Sequence, residues 1–121
     1  MQDFRKLMVW EKWHQLTLAI YHATESFPQS ELYGLTNQMR RSSASVPTNI
    51  AEGCGQDSQN KLIRFLHIAM GSASELQYQL ILARDLTFLP SSRFEQLDKD
   101  LAEVKRMLFG FLRRVQTNEK L

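Results

Sequence analysis

Residues 38–55 read QMRRSSASVPTNIAEGCG, and the reading of this stretch decides the fold. It is either one helix that kinks at Pro47 or two helices that meet there. An interior proline removes one backbone hydrogen bond and clashes with the carbonyl four residues back, here that of Ser43. The apolar stripe Leu35, Met39, Ser43, Val46, Ile50 and Cys54 nevertheless keeps its phase on both sides of Pro47. One kinked helix is therefore expected, starting near Ser30, which can cap it, and running to about Glu52, with Gly53 and Gly55 as its stop. Beside the apolar stripe runs a second one, Gln38, Arg41, Ser45, Asn49 and Glu52. The first stripe packs, and the second is expected to carry a polar network. The run of small residues from Ser42 to Ser45 lets another backbone come close, and its hydroxyls can bond neighbouring groups.

Upstream, Val9, Trp13, Leu16, Ile20, Ala23 and Phe27 follow helical spacing and predict a first helix over about 9–26, with Trp10 flanking its buried face. Residues 1–8 form a short lead-in that docks, and Phe27-Pro28 ends the first helix because the residue before a proline leaves the helical region. Downstream, Ser58 or Asp57 caps a third helix reaching about Thr87, with Leu62, Phe65, Leu66, Ala69, Ala73, Leu76, Leu80 and Ala83 on its main face. Its middle, Ala69 to Ser74, is as poor in bulk as Ser42 to Ser45, so the two patches are expected to face each other. Leu89-Pro90-Ser91 is a turn, after which Ser92 and Glu95 match a capping box. The fourth helix has the cleanest seam: Phe94, Leu97, Leu101, Val104, Leu108, Phe111, Leu112 and Val115. No stretch alternates as a strand would. The fold class is all-α, an antiparallel up-down four-helix bundle forming a single domain over residues 1–121.

Composition narrows the function classes. The chain has 121 residues, 43% of them hydrophobic, and a formal net charge of +2. That mild basic balance permits nucleic-acid contact without requiring it. One cysteine excludes an internal disulfide and a four-cysteine metal site, and suits a reducing cytoplasm. No apolar run approaches the roughly 18 residues that cross a bilayer, and the N-terminus has no signal-peptide pattern. A cytoplasmic protein without a membrane segment is expected.

Several residue strings match a known family in order: Phe4-Arg5-Lys6-Leu7, Val9-Trp10, Phe27-Pro28, Tyr33-Gly34-Leu35 and Gln38-Met39-Arg40-Arg41. They continue with Ser45-Val46-Pro47-Thr48-Asn49-Ile50-Ala51-Glu52-Gly53 and the run Phe65-Leu66, Ala69, Gly71-Ser72, Glu75-Leu76. The chain thus resembles, over roughly residues 4–110, the small four-helix-bundle family encoded in intervening sequences of bacterial large-subunit ribosomal RNA genes. That family is related to the accessory variability determinant proteins of diversity-generating retroelements. The resemblance implies a four-helix protomer that assembles into a homopentameric ring. It also implies possible partners, since the retroelement relatives bind nucleic acid and a reverse transcriptase. Two departures are visible. Ser42 and Ser43 stand where the family has alanines, which keeps the volume small. Gln56 replaces a basic residue, which weakens phosphate binding by that loop.

Candidate site residues follow from charge and pattern. Lys105, Arg106, Arg113 and Arg114 put four positive charges on the second half of the fourth helix, with no acidic residue before Glu119. Arginine suits phosphate contact, and a ring would multiply a modest patch. Arg40 is the next candidate. The plain alternative is a set of cations complementing a helix C-terminus. Gln38, Arg41, Asn49, Glu52 and Glu75 are expected to form a structural polar network that maintains the bundle or its subunit contacts, because a buried charge needs a partner.

Catalysis has no such support. A di-iron bundle needs Glu-x-x-His on two helices, and only Glu11 and His14 make one, since Ala19 and Arg64 stand three before His22 and His67. Gly53-Cys54-Gly55 lacks the Lys-Ser/Thr of a phosphate loop, and no histidine near Cys54 in sequence marks that thiol, even were it exposed between the two glycines, as a nucleophile. No catalytic residue, metal or cofactor is assigned. Trp10, Trp13, Tyr33, Phe109 and Phe111 are either base-stacking or core and interface aromatics, and Phe109, off the seam, points to a covering neighbour. The expected function is a non-enzymatic homo-oligomer that binds nucleic acid. The alternatives are an adaptor, for instance on a reverse transcriptase, and a self-assembling scaffold.

Overall fold

The computed structural model describes residues 2–117. Among them are four long helices and no strand: α1 (Met8–Thr24), α2 (Asn37–Cys54), α3 (Gln59–Asp85) and α4 (Ser91–Thr117). Each packs on its sequence neighbours, and α1 also packs on α4, which closes a four-sided bundle. Residue pairs across each seam run in opposite order. Thr17 meets Ser43 and Thr24 meets Arg40; Ser45 meets Ser72 and Ser42 meets Gln79; Lys105 meets Gln77 and Gln116 meets His67. No helix of the described residues is long and apolar enough to cross a membrane.

The core forms where the sequence stripes place it. Trp13, Met39, Ile50, Leu66, Leu76, Leu80, Leu101 and Leu108 are fully buried. The indole of Trp13 carries a polar group inward, and its Nε1–H donates to the Val104 carbonyl at 2.9 Å, locking α1 to α4.

A single helix runs through Pro47. The carbonyl that the proline leaves without its helical donor is that of Ser43, and α1 supplies a substitute. The buried Thr17 hydroxyl lies 3.0 Å from the Ser43 carbonyl and 2.9 Å from that of Trp13, so its one proton is shared between them. A buried carbonyl left unpaired would be costly, and this contact removes that cost.

The expected start of α2 near Ser30 is corrected. Gln29–Glu31 is a short 3-10 turn, Leu32–Thr36 follows as an irregular wide turn, and Gly34 has non-helical backbone angles. The Glu31 carboxylate accepts the Leu35 N–H at 3.1 Å, doing the capping expected of Ser30. At the other end, Gly55 has φ −83°, so no left-handed glycine terminates α2. Gly53 serves packing instead. A Cβ there would lie 2.8 Å from Leu62 Cδ1 and 3.0 Å from Phe65 Cβ, so a larger residue would have to turn the Leu62 side chain and crowd Phe65.

Ser58 caps α3 as expected, accepting the Lys61 N–H at 3.2 Å. The helix ends at Asp85, and Thr87 adopts φ 64° in the turn that follows, with Phe88 N–H reaching back to the Ala83 carbonyl. Ser92 does not cap α4. The helix already begins at Ser91, and the Pro90 carbonyl takes the Phe94 N–H at 2.9 Å. The lead-in docks: Gln2 N–H donates to the Cys54 carbonyl, and Asp3 caps the Phe4–Lys6 turn. The Arg5 side chain hydrogen-bonded to Asp3 holds that carboxyl below its usual range.

Candidate nucleic-acid interface

Helix α4 buries Leu101, Val104, Leu108, Phe111, Leu112 and Val115, which turns its basic residues away from the core. Lys105 is half-buried and donates to the Gln77 side chain of α3 at 2.9 Å. Arg106 is exposed with no side-chain partner among the described residues. Arg113 lies over the Phe109 ring at 5.7 Å and Arg114 over Phe111 at 5.8 Å. None of the four pairs with a carboxylate among the described residues. The ion pairs found there are Arg5–Asp3, His22–Glu25, Lys61–Asp57 and Arg84–Asp85. Glu119, the next acidic residue in sequence, lies outside the described residues. The structure thus exposes Arg106, Arg113 and Arg114 along the second half of α4, where weakly hydrated guanidinium groups can meet phosphate.

Arg40 does not join them. Its Nε donates to Thr24 Oγ1 at 2.9 Å, its Nη2 to the Tyr21 carbonyl at 3.3 Å, and it stacks 5.0 Å from the Tyr21 ring. It clamps the C-terminal end of α1 to α2, whereas the α4 cations lie level with the N-terminal half of α1, as the Trp13–Val104 bond shows. Charge in the sequence marked Arg40, but only the fold reveals that its donors are engaged.

The polar network exists with different members. Ser42 donates to Gln79 at 2.6 Å, Ser45 and Ser72 hydroxyls meet at 2.9 Å, and the Asn49 amide donates to the Ser45 carbonyl and hydroxyl. The two small-residue patches do face each other. Of the five residues expected in the network, Asn49 takes part. Gln38, Arg41, Glu52 and Glu75 are exposed, and their side chains have no partner within the described protomer. Small residues bring the α2 and α3 backbones together, and long side chains at the seam's edge then overhang it. Gln38, Arg41 and Glu75 flank an open polar groove of about 440 Å³ floored by Ser42, Ser45 and Ser72. The helical spacing of Gln79 from Leu76 and Ala83 was the available sign that it faces inward.

Cys54, the last member of the apolar stripe, is 2% exposed rather than an open thiol, and burial pushes its thiol pKa up, the opposite of a nucleophile's requirement. Trp13 and Phe111 are core residues, Tyr33 is 91% exposed and Phe109 48% exposed. His14 stacks on Trp10 at 5.2 Å, and Trp10 meets Phe4 edge-on at 5.0 Å. No three His, Cys, Asp or Glu side chains converge as metal ligands among the described residues.

Residues 5–110 match the 23S rRNA-intervening sequence protein family. The chain belongs to that family. The match takes in α1, α2, α3 and most of α4 with Lys105 and Arg106, while Arg113 and Arg114 lie beyond it. Among solved structures, the chain is similar to a protein of unknown function from the S23 ribosomal protein family of Bacteroides thetaiotaomicron. The TM-score is 0.77 at 23% identity, covering 87% of this chain and 98% of that one. At that identity the likeness speaks for the four-helix fold alone. No curated protein matches. Neither the family nor the structural neighbour carries the name of an enzymatic activity.

Proposed function

We propose that this intervening-sequence family member is a non-enzymatic, antiparallel up-down bundle that assembles in the cytoplasm into a homopentameric ring and binds nucleic acid through the basic end of α4. The observation that carries the reading is the set of Lys105, Arg106, Arg113 and Arg114 on the second half of α4, without a carboxylate partner among the described residues. Repeated around a ring, that end becomes a belt of cations able to displace counterions from a phosphate backbone.

The test is binding of a labelled mixed RNA pool, and of DNA of matched length, followed across salt. Affinity falls steeply with salt if phosphates are the ligand. Charge reversal of Arg106 and Arg114 together weakens binding at least tenfold, with mass and melting temperature unchanged. Unaltered affinity would remove the site assignment.

A second reading has its own observation. Arg41 and Glu75 flank the α2–α3 groove with their charges unpaired among the described residues, a pattern that suits a protein partner such as a reverse transcriptase. Capture of such a partner that is lost on Arg41→Glu, with RNA binding intact, would favour the adaptor.

A further inference from the structure

We infer that the aromatic groove between α1 and α2 receives the Phe109 ridge of a second copy of this chain, so that copies join head to tail. This rests on the homo-oligomer part of the proposed function and assigns the two faces that make it. The groove, about 400 Å³, is walled by Phe4, Trp10 and His14 and floored by Ala44 and Ala51. Its lining is mainly apolar, and its one acidic member is Glu52, exposed and without a side-chain partner in the described protomer. An acidic rim disfavours a phosphate-bearing ligand and favours a basic one.

The matching ridge lies on another seam of the same molecule. Lys105, Phe109 and Arg113 recur at helical spacing on the flank of α4 nearest α3, as the Lys105–Gln77 and Gln116–His67 bonds show. Phe109 is half exposed, with the Arg113 guanidinium over its ring. The ridge is therefore an aromatic knob between two cations, and the groove is an apolar slot with an anion at its edge. Because helices pack in the cycle α1, α2, α3, α4, the α1–α2 and α3–α4 seams are on opposite sides of the bundle. The two features also share a level. Val104 is bonded to Trp13, and Phe109, just over one turn further along antiparallel α4, comes level with the Phe4–Trp10 end of the groove.

A copy that inserts its ridge into a neighbour's groove leaves its own groove open on the far side. Such a heterologous contact propagates and, given the right rotation, closes as a ring. Lys105 and Arg113 then serve the contact between copies, and of the four cations Arg106, at the edge of the ridge, and Arg114, on the far flank, are left for phosphate.

Two variants of exposed residues test this by sedimentation without nucleic acid. Phe109→Asp removes the ridge and keeps the groove, and Thr48→Arg blocks the groove with a cation and keeps the ridge. Each alone is expected to sediment as one protomer with an unchanged helical melt. Their equimolar mixture has one working groove and one working ridge per pair, so it is expected to form a species of two protomers and nothing larger. Wild-type mass retained by Phe109→Asp, or a mixture that stays monomeric, would overturn the assignment. A wild-type chain that is itself monomeric would instead sink the homo-oligomer reading.

Discussion

Helix α4 meets the core with Phe94, Leu97, Leu101, Val104, Leu108, Phe111, Leu112 and Val115, whereas α2 meets it with Met39, Ser42, Ser43, Val46, Pro47, Ile50, Gly53 and Cys54. The first set holds by area removed from water, at about 25 cal/mol per Å². The second set also buries Met39, Val46 and Ile50, but half of its members are small or polar and remove less area. It holds by close approach and by hydroxyls that bond across the seam, Ser42 to Gln79 and Ser45 to Ser72. The difference teaches where each helix is vulnerable. Losing volume should harm α4, whereas adding volume or deleting one donor should harm α2.

The largest expected effect tests the α4 half of that contrast. Leu108 is fully buried, so Leu108→Ala loses its transfer energy and leaves a cavity. Destabilisation of about 2–5 kcal/mol is expected by denaturant titration. A loss below 1 kcal/mol would mean that the α4 seam is looser than its packing indicates.

Next comes the single donor. Thr17→Val keeps shape and removes the hydroxyl shared by the Trp13 and Ser43 carbonyls. Trp13 keeps its helical donor, but Ser43 faces a proline and has none, so a loss of about 1–3 kcal/mol is expected. Thr17→Ser should recover most of it. Combining Thr17→Val with Pro47→Ala sharpens the point. An alanine restores a backbone N–H to the Ser43 carbonyl, so the cost of Thr17→Val should shrink in that background. If the two costs simply add, the threonine does not serve the proline.

That coupling shows what periodicity can and cannot convey. Stripes of apolar residues locate the helices and most of the core, because burial of a face leaves a repeating mark in the chain. The phase kept across Pro47 marked one helix, and two patches poor in bulk marked the α2–α3 contact. Partners of polar groups leave no such mark. Arg40 reads as a free cation until Thr24 and Tyr21, from the preceding helix, are brought against it. Arg41 and Glu52 read as network members because stripe position gives direction around a helix but not depth. Ser30 and Ser92 looked like caps, yet Glu31 caps the turn that leads into α2 and Ser92 already lies inside α4, since capping depends on backbone angles that many short sequences satisfy equally well.

The smallest effect reads out the contrast through two glycines. Gly53 faces Leu62 and Phe65, so a methyl group there must push the Leu62 side chain aside and crowd the Phe65 Cβ. Gly71 sits inside α3, and a Cβ at that position would meet nothing within 4 Å. Its helical conformation is one alanine adopts without strain, and glycine in a helix interior costs roughly 0.5–1 kcal/mol relative to alanine. Gly71→Ala should therefore stabilise the protomer by about that amount, seen as a higher denaturation midpoint at unchanged slope, while Gly53→Ala moves the midpoint the other way. If Gly71→Ala stabilises the protomer yet lowers the assembled mass, the open space beside Gly71 is filled by a neighbouring copy. The groove-and-ridge contact would then have to share the assembly with a second interface on α3.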